Sequence, residues 1–115
     1  MAEVPDQETF SVTISPGVWP TGLTNAVLDV TRALADRMEG DDVTVLVPEP
    51  PSDPGEREAL REAVRSVVHV SVLERPKIRV NLVFGGSAED REDTISYLAK
   101  APFVVGASID LGGVR

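Results

Sequence analysis

Few side chains in these 115 residues could take part in covalent or acid–base chemistry. There is no cysteine, which excludes thiolate nucleophiles, disulfides and Cys-ligated zinc. The one histidine, His69, sits among Val67, Val68 and Val70, a setting that suits a structural histidine better than a general base. A single histidine also rules out a multi-histidine metal site within one chain. The run Glu89-Asp90-Arg91-Glu92-Asp93 has the carboxylates of a cation site. A solvated helix start explains it more simply, because acidic groups are favoured at the positive end of a helix dipole. No Ser/His/Asp order carries a nucleophile elbow. Trp19, His69 and Asp110 remain as weak candidates to line a remade pocket, and no residue is assigned to catalysis, cofactor or metal.

The elements that must position these groups are read from periodicity. Phe10 to Ile14 is rich in β-branched residues and predicts a strand, stopped by Ser15-Pro16-Gly17. Val27, Val30, Leu34 and Met38 recur at three- and four-residue spacing and predict a helix from about Leu23 to Met38. Thr21 or Thr24 is its expected N-cap and Gly40 its stop. Val43 to Val47 predicts a second strand. Beyond it, Pro48, Pro50, Pro51 and Pro54 remove donors and fix the backbone. A helix from about Glu56 to Leu73 follows, with Leu60, Val64, Val67 or Val68, and Val72 inward. Ile78 to Phe84 predicts a third strand, and Ala88 to about Lys100 a third helix with Ile95, Leu98 and Ala99 inward. Phe103 to Leu111 is the expected fourth strand. Strand and helix alternate throughout, which predicts a small parallel α/β sheet of about four strands with three helices.

Composition bounds the partners. A hydrophobic fraction of 42% and a charged fraction of 26% are those of a globular domain. The net charge of −8 argues against nucleic acid and anionic membranes, both of which need clustered Lys and Arg. Met1-Ala2-Glu3-Val4-Pro5-Asp6 lacks the apolar region of a signal peptide, and no apolar run reaches the roughly 20 residues of a bilayer span. The expectation is a cytoplasmic protein with a loose tail at 1–8 and a single α/β domain at 9–115.

Three fragments carry a family resemblance. Lys77-Ile78-Arg79-Val80-Asn81-Leu82-Val83-Phe84-Gly85-Gly86 resembles a strand signature of the short-chain dehydrogenase/reductase (SDR) family, Ile-Arg-Val-Asn-x-Val followed by Pro-Gly, with Gly85 in place of the proline. Tyr97-Leu98-Ala99 and Phe103 to Gly113 resemble its last helix and last strand, with Val105 in place of a threonine and Gly112-Gly113 one residue early. Val27 to Met38 followed by Val43 to Val47 resembles its central helix and next strand. A competing alignment sets Val12 to Val47 against the family's first strand-helix-strand. The first alignment implies a truncated Rossmann-like fold, the second half of an SDR.

The resemblance also implies what the chemistry would need. Hydride transfer in this family uses a glycine turn, Thr-Gly-x-x-x-Gly-x-Gly, under the pyrophosphate. Ser15 to Gly22 is the sole counterpart, and it holds Pro16, Pro20 and Trp19. The family's Tyr-x-x-x-Lys pair, in which lysine lowers the tyrosine's pKa, counts to Gly55 and Ala59, and its helper serine to Pro48 or Glu49. The expectation is therefore no NAD(P) cofactor and no SDR oxidoreductase activity.

Right-handed crossovers in a sequential sheet should place every helix on one face and leave the other bare. An exposed apolar layer would make the chain a homo-oligomer. In the resembled family the last helix and strand form one two-fold interface and the central helices another. Two readings follow. One is a non-catalytic pseudoenzyme, an accessory subunit of a full-length ketoreductase-type SDR such as those of secondary metabolism. The alternative is a small enzyme or ligand-binding protein with a pocket remade at an oligomer interface around Trp19, the proline-rich loop, His69 or Asp110. A decayed gene product without a selected role is the third.

Overall fold

A computed structural model describes residues 9–112 apart from Pro16 and Pro76. The expected tail at 1–8, and Gly113, lie outside the described residues. The elements alternate as β1 (Thr9–Thr13), α1 (Thr21–Ala35), β2 (Asp42–Val47), α2 (Pro54–Glu74), β3 (Arg79–Phe84), α3 (Ala88–Ala99) and β4 (Ser108–Asp110). All four strands are parallel and stand in sequence order, β1-β2-β3-β4. The arrangement is the Rossmann-like α/β architecture that the alternation implies.

Strand alternation sorts the residues onto two faces. Val43, Val45 and Val47 of β2 stand beside Val80, Leu82 and Phe84 of β3, and all six are fully buried. Onto this near face α1 brings Ala26, Val30 and Leu34, and α2 brings Leu60, Val64 and Val68, closing one continuous core. Each such side chain contributes about 1.5–3 kcal/mol by leaving water.

The helix ends differ from expectation for local reasons. Asp53 accepts the Glu56 N–H at 3.0 Å and Pro54 occupies the first turn, so α2 starts two residues early. Its β-branched end stays helical to Glu74 because Val64 and Val68 are buried, and burial outweighs propensity. Helix α1 stops at Ala35, short of Met38. The Arg75 guanidinium donates to the carbonyls of Leu34, Ala35 and Arg37 at 2.6, 3.4 and 3.4 Å, and Asp41 accepts the Met38 N–H. Met38 is consequently exposed, and Ala26 takes the buried place beside half-buried Val27. Neither Thr21 nor Thr24 caps α1: Pro20 stands at its N-cap without a side-chain bond.

The expectation that all helices share one face is wrong. Leu98 of α3 packs with Leu46 and Val83, which point away from the near face, and Ile95 and Ile109 join them. Because the sheet order is sequential, the β3-α3-β4 connection has the opposite hand to the two before it, an exception to the right-handed rule. Two features accompany this course of the chain. Gly85 and Gly86 take φ of 76° and 85°, a left-handed pair that the family's proline could not adopt. The strip Leu46–Val83–Ile109 then offers α3 an apolar seat.

The last strand is also shorter than expected. Residues 101–107 make an irregular crossing instead of extending β4. Val104 packs on the far face, Gly106 and Ala107 return to the edge of β3 through backbone bonds with Val80 and Leu82, and Phe103 and Val105 are exposed. The Asn81 amide donates to the Val104 carbonyl at 3.0 Å and accepts the Ala107 N–H at 2.9 Å. Arg79 donates to the Ala101 and Val104 carbonyls at 2.7 and 3.4 Å and pairs with Asp42. Ala99, expected inward, faces solvent. No helix among the described residues is long and apolar enough to cross a membrane.

Candidate functional site

Open α/β sheets bind ligands at the carboxyl ends of their strands, where loops and helix starts converge. The carboxyl ends of β2, β3 and β4 here enclose a crevice of about 430 Å³. One wall is Pro48 to Ser52, which leave β2 as a bent proline-rich segment. The opposite wall is backbone: Gly85 and Gly86 after β3 and Gly112 after β4. That wall is tightly joined. Gly85 donates to Val47, Gly86 to Gly112 and Leu111 to Phe84, at 2.8, 3.2 and 2.9 Å. A Cβ on Gly85 would meet the Gly112 carbonyl oxygen at 2.3 Å, so no other residue fits there.

Arg57 is the cation of the crevice. It stands in the first turn of α2, and its guanidinium carbon lies 5.3 Å from the centre of the Phe84 ring. Its Nη2 donates to Asp110 Oδ1 at 3.3 Å, and the same oxygen accepts the Gly112 N–H at 2.8 Å. Glu49 supplies a carboxylate on the proline wall. The set can hold an acidic group at Arg57 and accept a hydrogen bond at Glu49. The positions to which the family's tyrosine and lysine count, Gly55 and Ala59, fall in the first two turns of the same helix. Neither has a side chain able to carry a proton.

The three pocket candidates are not brought together. Asp110 reaches the crevice through Arg57 and Gly112, beside the proline-rich loop. Trp19 lies before α1, on the β1 side, half-buried against the near-face core. His69 is exposed on α2, in a separate hollow of about 300 Å³ with Arg65, Ser66, Val70 and Gly106. Gly106 hydrogen-bonds Val80, whereas Asp110 pairs with Phe84, so His69 and Asp110 lie toward opposite ends of the sheet. Tyr97 is exposed on α3, and the acidic run Glu89 to Asp93 lies along its first turns, where Ser87 accepts the Asp90 N–H. Among the described residues no three His, Asp or Glu side chains gather as a metal site.

Arg57 was missed by reading the sequence. Its signal was positional: a cation in the first turn after Asp53-Pro54, on the helix that follows the second strand, sits at the carboxyl-end side of the sheet, where parallel sheets bind ligands.

A family model described as "Short chain dehydrogenase-like protein" matches residues 22–111 of this chain. No curated protein and no solved structure matches it.

Proposed function

Since the chain belongs to the short-chain dehydrogenase-like family, we propose that it works as a non-catalytic subunit. In this role it associates with itself and with a full-length, ketoreductase-type member in the cytoplasm. The observation that carries this reading is the start of α2. Counted back from the Arg79-Val80-Asn81 strand, the family's proton-passing pair falls near Gly55 and Ala59, and its helper hydroxyl near Pro48 or Glu49, none of which could do that work.

Support for a partner no longer comes from a wholly bare face, since α3 covers part of it. It comes from large apolar side chains left in water. Val70 and Leu73 on α2, and Phe103 and Val105 on the 101–107 crossing, are 49%, 68%, 80% and 44% exposed. Such groups are commonly contact points when they gather into a patch. Among the described residues both outer strands, β1 and β4, also have an unpaired edge.

The test is co-expression with a full-length reductase of the family, followed by chromatography with light scattering. A shared peak of defined stoichiometry is expected, together with a change in the reductase's stability. A lone monomer at every concentration, or reduction of a ketone by the isolated chain with NADPH, would overturn the reading.

A further inference from the structure

We infer that the crevice at the carboxyl ends of β2–β4 binds a small organic acid, with its carboxylate on Arg57 and its carbon skeleton against the prolines. This goes beyond the subunit reading and does not depend on it.

The case begins with the guanidinium. Arginine has five N–H donors in a planar fork, matched to a carboxylate by two parallel bonds. Among the described residues Arg57 uses one of them, in a single long contact of 3.3 Å to Asp110. Asp110 itself is partly engaged by the Gly112 N–H, and its side chain is 37% exposed. A pair built only to fasten α2 to β4 would gain more from the two-pronged geometry. Arg57 is instead held at one corner, with 23% of its side chain open to solvent. The Phe84 ring beneath it further limits where the guanidinium can lie. The group is thus pre-positioned while retaining donor capacity.

The walls define what accompanies the acid. The crevice volume of about 430 Å³ lies within the range of about 300–1,000 Å³ seen for small-molecule pockets. Pro48, Pro50 and Pro51 present rigid apolar rings without N–H donors. The facing glycines have their amides already bonded, to Val47 and to Gly112. A doubly charged phosphate would find one cation and no free amide nest among the lining residues, and Glu49 and Asp110 would repel it more strongly than a singly charged carboxylate. A singly charged carboxylate bearing a ring or branched alkyl group matches both the cation and the prolines.

The experiment is a titration of the intact chain, observed by amide NMR and calorimetry, with benzoate, benzamide and inorganic phosphate as probes. Benzoate should shift the amides of Gly85, Gly86 and Gly112 saturably at millimolar concentration, and benzamide should not. Arg57→Gln should weaken benzoate by about 10- to 100-fold, the usual loss for a charged hydrogen bond. Asp110→Asn keeps the arginine and removes its competitor, so benzoate should bind several-fold tighter. It also serves as the test if Arg57→Gln fails to fold. Equal shifts with benzamide, phosphate binding as tight as benzoate, or no tightening in Asp110→Asn would each overturn the assignment.

Discussion

The two faces of the sheet are held by different forces. The near face is one apolar core in which Val45, Leu82 and Phe84 meet Val30, Leu60 and Val64, all fully buried. The far face has a small apolar cluster under α3 and, beside it, buried polar groups: Asp42, Thr44 and Asn81, with Arg79 alongside. The triplet Arg79-Val80-Asn81 spans both worlds, since Val80 enters the core while its neighbours tie down the 101–107 crossing. A motif that carries a family resemblance is here a fastening for the last crossover. Cores tolerate any well-fitting apolar residue, whereas a buried polar network requires particular atoms at particular places.

If that contrast is right, substitutions on the two faces should fail differently. The largest loss is expected from Phe84→Ala, about 4 kcal/mol from lost burial and the cavity left behind, measured by denaturant unfolding. Next comes Arg79→Met, about 3 kcal/mol, because Asp42 would remain buried without its partner. Adding Asp42→Leu to that variant should recover the part of the loss due to the unpaired carboxylate, but not the part due to the Ala101 carbonyl that Arg79 also serves, a partial rescue with no counterpart for Phe84→Ala. Asn81→Ala should cost about 2 kcal/mol by orphaning the Ala107 N–H and leaving the Val104 carbonyl only the longer Arg79 contact. Its effect should also be local, with faster hydrogen exchange at Ala107 than at Val45. Smallest is Met38→Ala, within about 0.5 kcal/mol, as befits an exposed residue beyond the end of α1. A rescue failing for Arg79, or a large loss at Met38, would erase the distinction.

The near face was largely readable in advance and the far face was not. Leu60, Val64 and Val68 follow a helical period, and Val43 to Val47 is a buried strand, so periodicity found both. Met38 fits the same period, yet Arg75, 41 residues after Leu34, takes the carbonyls that would continue the helix. Phe103-Val104-Val105 resembles strand, but its course is set by Asn81 and Arg79, which no local pattern reveals. The switch of α3 to the opposite face follows two consecutive left-handed glycines, and periodicity does not reveal which face a helix takes. Of the candidate site, the proline wall and Asp110 were legible; Arg57 was not, because its place beside Asp110 comes from contact across 53 residues.

The sequential strand order bears on how the molecule is made. Among the described residues each strand pairs only with the strands synthesised just before and just after it. A ribosome that has released Val47 has already delivered everything needed to join β1, α1 and β2. Later segments add at one growing border, and no finished part must reopen to admit a latecomer. Pairings between successive segments keep loop-closure costs below those of a shuffled strand order, in which partners would be farther apart along the chain.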